Sequence, residues 1–424
     1  MDKATAVAVD SSSQHVRSLH IGWKPISSDL CASICNLLQD RSADAPIRVL
    51  YLVDNQLGPT LAAQILNAAE STSCSEIVLR FNDIGREGCD GMANVINMNS
   101  KLLCVDVQGN KLSAPDVRKL LKSIATSTTV TRLNISSNEI GPDGAALVQK
   151  ALARNTYITH LNLSMNELGP SGAASLAELL AVPTCAVQTL LLYGNYLGDD
   201  GVRMLCEAIQ GNKEVKRFTL GNNNVTDNCA AAIAAMLEAN RTLEELDLRL
   251  NAFTVGGMKR LCKNGLEQNS TLSYLSLSGN PLGPVGADEL AKSLAAHRTS
   301  GVTRLDISSC SIGPTGGMRI ALLLKTSNVL QEINLADNLL DDEAAVAIAN
   351  NITVAESITD IDLSSNAIND EGATFLLDAA NENTRITAVT LQGNRLNRVL
   401  QKKIDTLLEE RMVLMRFQKR PNFV

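Results

Sequence analysis

The stretch NISSNEIGPDGAALVQKAL, residues 134–152, holds the signals of a strand, a turn and a helix in succession. Alternation of polar and apolar residues through Ile135 reads as a short strand with one buried face. Asn138 and the run Gly141-Pro142-Asp143-Gly144 follow, and then Ala145, Val148, Ala151 and Leu152 recur at helical spacing. Near-copies stand at residues 162–180 (NLSMNELGPSGAASLAELL), 276–294 (SLSGNPLGPVGADELAKSL) and 362–380 (DLSSNAINDEGATFLLDAA). A pattern repeated at a fixed interval defines the architecture before any single element does.

The repeated asparagine serves as the zero of a ruler. It recurs at Asn55, Asn82, Asn110, Asn138, Asn166, Asn195, Asn223, Asn251, Asn280, Asn338, Asn366 and Asn394; Cys310 fills the slot after Asn280, and Lys24 the slot before Asn55. This makes fourteen coils, most of them 28 residues long. The positions five before, three before and two after zero are apolar in every coil, from Leu19, Ile21 and Ile26 to Val389, Leu391 and Leu396. Chance placement would do this with a probability on the order of 10⁻¹⁴.

An asparagine amide both donates and accepts, so at zero it can turn inward and satisfy the backbone where the chain leaves the strand. A cysteine suits the same narrow slot; a lysine does not, so Lys24 marks an end coil. Glycine three after zero, as at Gly141, permits a tight turn, and proline next, as at Pro142, fits a first helical turn. Several helices stop at Asn155, Asn212, Asn240 or Asn383, which predicts left-handed caps there.

A strand–helix coil cannot bury its own apolar face, so neighbours must stack. Strands pack about 4.8 Å apart and helices about 8–10 Å apart, which puts strands on the inside of a curve and helices on the outside. The predicted fold is an α/β solenoid, a horseshoe of about 14 coils with a parallel sheet on the concave face and helices on the convex face. Residues 1–15 are predicted to be a flexible N-terminus, 16–397 the solenoid, 398–412 a capping helix and 413–424 a basic tail with Phe417 and Phe423. That tail is expected either to fray or to dock.

The pattern Leu-x-x-Leu-x-Leu-x-x-Asn-x-Leu followed by a full helix resembles the leucine-rich repeat in its long, ribonuclease-inhibitor-like subtype. Ribonuclease inhibitor, Ran GTPase-activating protein, the sensor halves of NOD-like receptors and ciliary scaffold proteins share that subtype. The resemblance spans residues 16–412. It implies a protein-binding scaffold, a GTPase regulator of the Ran type, or a subunit of a ciliary, axonemal or cytoskeletal assembly.

Composition narrows the rest. The 424-residue chain is 20% charged with a formal net charge of −7, which disfavours nucleic acid as the main ligand. No eighteen-residue apolar run is present, so no membrane partner is expected. The start of the chain lacks the pattern of a signal peptide, which points to a cytoplasmic location, with a cytoskeletal or ciliary association open. The four histidines (His15, His20, His160, His297) assemble no triad, and no phosphate loop is present. Cys31, Cys35, Cys89, Cys206 and Cys262 fall in helix columns that meet the core, the ordinary place for a small apolar residue. No catalytic residue, cofactor or metal is expected. The Phe-Thr-Gly-Arg turn of the Ran regulator is absent; the nearest wording, NAFTVGGMKR at 251–260, departs from it after Phe253-Thr254.

Any working surface should lie on the strand face. Two features stand out there. Aromatic and apolar residues cluster in the first coils at His20, Trp23, Tyr51, Val53, Val78 and Phe81, with a smaller spot at Leu191 and Tyr193. Exposed aromatics are typical anchors for a protein partner. Later coils carry Glu245, Asp247, Asp306, Glu332, Asp360 and Asp362, interrupted by Arg249 and Arg304. Those acids either keep the sheet soluble or meet a partner with a basic surface.

Overall fold

The computed structural model describes residues 17–40, 46–296, 301–403 and 406. The proposed N-terminal segment 1–15 and the basic tail lie outside these residues, as do His15 and His297; of the proposed capping helix, 398–403 and Thr406 are helical. The chain divides into two compact units, Met1–Thr219 and Leu220–Val424.

In the first unit eight strands pair in parallel and in chain order: β1 (Arg17–Gly22), β2 (Ile47–Val53), β3 (Glu76–Val78), β4 (Cys104–Asp106), β5 (Arg132–Asn134), β6 (His160–Asn162), β7 (Thr189–Leu191) and β8 (Arg217–Thr219). A helix follows each of the first seven, from α1 (Ser28–Gln39) to α7 (Gly198–Gly211). The second unit repeats the scheme with β9 (Glu245–Asp247), β10 (Tyr274–Ser276), β11 (Arg304–Asp306), β12 (Glu332–Asn334), β13 (Asp360–Asp362) and β14 (Ala388–Thr390). Its helices run from α8 (Ala230–Ala239) to α13 (Asp370–Glu382). Each unit is thus a leucine-rich solenoid of strand–turn–helix coils with its strands in one parallel sheet.

The apolar columns make the core. Leu50, Leu52, Ile77, Leu79, Ile84 and Leu112 are fully buried in the first unit, and Leu246, Leu248 and Phe253 in the second. Each such side chain stabilises its coil by roughly 1.5–3 kcal/mol, so coils hold together only as a stack.

The zero asparagines form a ladder through each unit. The Asn82 N–H donates to Oδ1 of Asn110, the Asn110 N–H to Oδ1 of Asn138, and the Asn166 N–H to Oδ1 of Asn195, each at 2.9 Å. In the second unit the Asn223 N–H reaches Oδ1 of Asn251 at 3.0 Å and the Asn338 N–H reaches Oδ1 of Asn366 at 2.9 Å. Each amide also donates backward, as from Asn110 Nδ2 to the Leu79 carbonyl at 2.9 Å. Cys310 keeps the donor half of this role: its thiol donates to the carbonyls of Leu277 and Ser308. Lys24 is exposed and offers only its carbonyl, to Asn55 Nδ2, which leaves the buried Asn55 Oδ1 without a hydrogen bond among the described residues.

Helices begin in two ways. Where glycine stands three after zero it adopts positive φ, +58° at Gly141, and its N–H donates to the Asn166 carbonyl of the next coil at 3.0 Å. Where it does not, a polar side chain caps the helix. Ser113 forms a capping box with Asp116, and Thr254 accepts from the Gly256 N–H at 3.3 Å. Asp342 then ties two coils, accepting from the N–H groups of Asn369 (2.8 Å) and Gly372 (3.1 Å). Partial burial pushes the Asp342 carboxyl up, but the Asn369 and Gly372 hydrogen bonds outweigh it and hold the group below the usual carboxylate range.

The predicted left-handed helix caps are corrected. Asn212, Asn240 and Asn383 close their helices with extended backbones, at φ −74°, −77° and −95°. Their side chains are used between coils instead. Asn212 Nδ2 donates to the Leu180 carbonyl of the coil before at 2.9 Å, while its Oδ1 accepts from the Glu214 and Val215 N–H groups. Asn155 does the same, with Nδ2 on the Ile124 carbonyl at 2.7 Å. These asparagines make a second ladder on the side of the stack where helices return to strands.

Candidate functional site

The strand face of the first unit begins with a ring pair. His20 and Tyr51 sit opposite each other in register on β1 and β2, and their rings stack at 5.0 Å with an interplanar angle of 24°. His20 is exposed and Tyr51 half-buried. Beside them, Trp23 is 80% exposed and Phe81 46% exposed. Val53 and Val78, expected in the same cluster, are 5% and 6% exposed and contribute little open surface. A polar edge is supplied by Arg80, whose guanidinium pairs with Asp106 at 2.7 Å.

The backbone explains where the large side chains stand. In every described coil the residue before zero is left-handed, because the chain must turn there to aim the zero side chain inward. Glycine, asparagine or aspartate fills that place at Gly109, Asn222 and Asp337, which is its low-energy solution. Trp23 (φ 61°) and Phe81 (φ 56°) fill it with bulk, at a cost of about 1–2 kcal/mol each. Phe81 is seated by its neighbour: a Cβ on Gly109 would come within 2.2 Å of the Phe81 ring. Two strained, solvent-facing aromatics contribute little to the core, so the strain points to a role at the surface.

Leu191 and Tyr193 are both half-buried on β7 and in the turn after it. The Met165 N–H donates to the Tyr193 carbonyl at 2.7 Å and brings a further apolar side chain beside that spot. Reading strand columns alone missed Met165 and Tyr196. The available signal was a large apolar residue one place before or after zero, where most coils carry small or polar ones.

The second unit carries its acids on the corresponding face. Asp306, Glu332, Asp360 and Asp362 line a shallow cavity of about 350 Å³ together with Tyr274 and Arg304. Arg304 lies 5.0 Å over the Tyr274 ring and pairs with Glu245 at 2.9 Å. Three of the expected partner-binding acids have a local backbone role. Asp247, Asp306 and Asp362 each accept the N–H two residues on, from Arg249, Ser308 and Ser364 at 2.9–3.1 Å. Asn134 and Asn162 make the same loop-starting bond in the first unit, to Ser136 and Ser164. Asp306 and Asp362 are also separated by Asn334 in the ladder, so the adjacent carboxylate pair on this face is Glu332–Asp360.

Candidate chemistry elsewhere resolves into structure. Phe253 is fully buried and Thr254 caps α9 (Val255–Asn264), so the NAFTVGGMKR stretch is a helix start with Arg260 donating to the Asp227 carbonyl. Eight of the ten cysteines are buried, none of the ten forms a disulfide, and Cys35 and Cys104 are half-buried. Burial pushes the Cys89, Cys262 and Cys310 thiols up to about 12. A thiol is a nucleophile only as thiolate, so a thiol-specific reagent at pH 8 should label Cys35 first in the native chain, and Cys104, whose thiol burial also pushes up, more slowly. The remaining eight should react only after unfolding, which peptide mapping with and without urea would show. Among the described residues no helix is long and apolar enough to cross a membrane.

The leucine-rich repeat family model, "Leucine Rich repeat", matches residues 126–148, 154–177, 239–262, 268–291, 302–321, 326–349 and 355–377. Ribonuclease inhibitor from Mus musculus is 24% identical over 326 residues, covering 76% of this chain and 70% of that protein. NACHT, LRR and PYD domains-containing protein 5 from Homo sapiens is 26% identical over 280 residues, covering 64% of this chain and 23% of that protein. Among solved structures, a chain of the yeast Rad7–Elc1 complex is similar in fold, with a TM-score of 0.50 and 16% identity over 80% of each chain.

Proposed function

Since the chain is a leucine-rich repeat protein of the ribonuclease-inhibitor-like type, we propose that it is a non-catalytic scaffold whose strand face docks a protein partner. The observation that carries this reading is the open aromatic cluster of the first unit. Trp23 and Phe81 are held at positive φ, 80% and 46% exposed, in the coils that carry the stacked His20–Tyr51 pair. A preformed surface of this kind loses little ordering entropy on association. Its aromatic centre and its Arg80–Asp106 edge match the anatomy of a binding hot spot.

The second unit supports an accessory reading. Glu332 and Asp360 are adjacent carboxylates beside a cavity whose one lining cation is Arg304. A lysine or arginine of the partner would relieve their mutual repulsion. A Ran-type regulator is the weaker alternative, because the stretch nearest to its arginine turn is a buried phenylalanine and a helix cap. Membership in a cytoskeletal or ciliary assembly would add contacts on the helices, where Leu322 and Phe375 are exposed.

Proximity labelling from this chain in its own cells, repeated with a Trp23→Asn/Phe81→Asn chain, tests the reading. A partner that is labelled by the first and lost by the second is the expected result. A partner retained by both would contradict it.

A further inference from the structure

Large apolar side chains also stand in left-handed turn positions away from the first coils. Met165 (φ 56°) lies one before zero and Tyr196 (φ 55°) one after, in consecutive coils, and they are 47% and 59% exposed. The Met165 N–H bond to the Tyr193 carbonyl places these turns side by side. Half-buried Leu191 and Tyr193 continue the patch onto the strand face. At the next place before zero stands Gly194 (φ 68°), the same column in which Gly109 makes room for the Phe81 ring.

On its turn side this patch is acidic, while on its strand side Arg217 stands in register with Thr189, two residues before Leu191. From Leu161 to Val202 the sequence contains no lysine and no arginine, while Glu167, Glu178, Asp199 and Asp200 fall within it. Glu167 is exposed two residues after Met165, at φ 57°, and exposed Glu139 holds the same turn position one coil earlier. Asp199 opens the first turn of α7, and Asp200 beside it pairs with Arg203 at 2.7 Å. The aromatic cluster of the first coils differs, having Lys24 and Arg80 at its edge.

We propose that the turns after β6 and β7 form a second docking station, for a basic amphipathic segment of a protein partner. Its apolar side would cover Met165, Tyr193 and Tyr196, and its lysines or arginines would face Glu139, Glu167 and Asp199. The proposal rests on the scaffold reading and adds a separate place and a partner chemistry. Apolar anchors supply the contact area, and the acids of the turn side, Glu139, Glu167 and Asp199, select a cationic segment over an anionic one there.

The test uses the full chain and two synthetic amphipathic peptides of about five helical turns, one built of leucine and lysine and the other of leucine and glutamate. Binding is followed by fluorescence anisotropy of a dye on the peptide. The variant is Met165→Asn/Tyr196→Asn, because asparagine tolerates the left-handed region that both residues occupy. Its melting temperature should equal or exceed that of the parent, so a loss of binding cannot be laid to unfolding. The expected result is that the lysine peptide binds, that the glutamate peptide binds at least about tenfold more weakly, and that the variant loses at least about tenfold in affinity for the lysine peptide. Trp23→Asn/Phe81→Asn should leave that affinity within about twofold. The proposal is overturned if the lysine peptide does not bind, if both peptides bind alike, or if the variant binds as the parent does. It is also overturned if only the Trp23/Phe81 variant loses the peptide. Each of these outcomes leaves the capture of a native partner by the aromatic cluster to be judged separately.

Discussion

Replacing Trp23 and Phe81 together by asparagine should weaken the native partner about 100-fold or more while leaving the fold intact. The size follows from two aromatic anchors at about 2 kcal/mol or above each, less than their sum because they share one patch. Stability should change little, because both residues sit at left-handed φ where asparagine is at home, and the ring of Trp23 is largely exposed and that of Phe81 about half exposed. Far-UV circular dichroism reads the melt, since the substitution removes the single tryptophan. Surface plasmon resonance with the labelled partner reads the affinity. A change of less than about threefold would remove the aromatic cluster from the binding site. Charged substitution at Val78 would not serve the same purpose: that side chain is buried between strands, and a charge there would unfold the patch.

Asn110→Ala should cost about 3–4 kcal/mol, the largest effect expected from a single polar residue. The Asn110 side chain accepts from the N–H groups of Asn82 (2.9 Å) and Ile84 (3.3 Å) and donates to the carbonyls of Leu79, Val107 and Gln108. Alanine would leave those groups buried and unmatched. Asn110→Cys should cost about half as much, because a thiol keeps the donor role that Cys310 performs at the same column. Burial pushes the Cys310 thiol up to about 12, so it stays protonated and able to donate at neutral pH. Urea unfolding followed by circular dichroism measures both. A cost for the alanine below about 1 kcal/mol would mean that the ladder is ornamental.

The stacked coils were legible because three apolar columns and one asparagine repeat in every coil, and a repeating pattern averages out local noise. The zero asparagine could be read as turned inward because an amide with both donors and an acceptor has few other uses in an apolar column. The helix-ending asparagines depart from the caps their sequence position implies. A single coil viewed alone offers them only a cap, whereas Asn155 and Asn212 bond to the coil before, a contact visible only in the stack. The strand face was legible in part. His20, Trp23, Tyr51 and Phe81 could be placed from their columns, but Val53 and Val78 could not be distinguished from open surface. Asp247, Asp306 and Asp362 looked like partner-binding charge because column reading is blind to a bond with the N–H two residues on. Met165 shares the column of Trp23 and Phe81 but stands there between Ser137 and Gly194 with no aromatic neighbour to mark it, and Tyr196 lies one after zero, in a column of mostly small or polar residues.

A photoreactive amino acid placed at Tyr51, on the strand face, and in a separate chain at Leu322, exposed on α11 (Gly313–Thr326), tests most directly which surface works. After illumination in the native cell, crosslinked partner is expected from the Tyr51 position and none from Leu322. Partner crosslinked from Leu322 and absent at Tyr51 would contradict a binding site on the strand face.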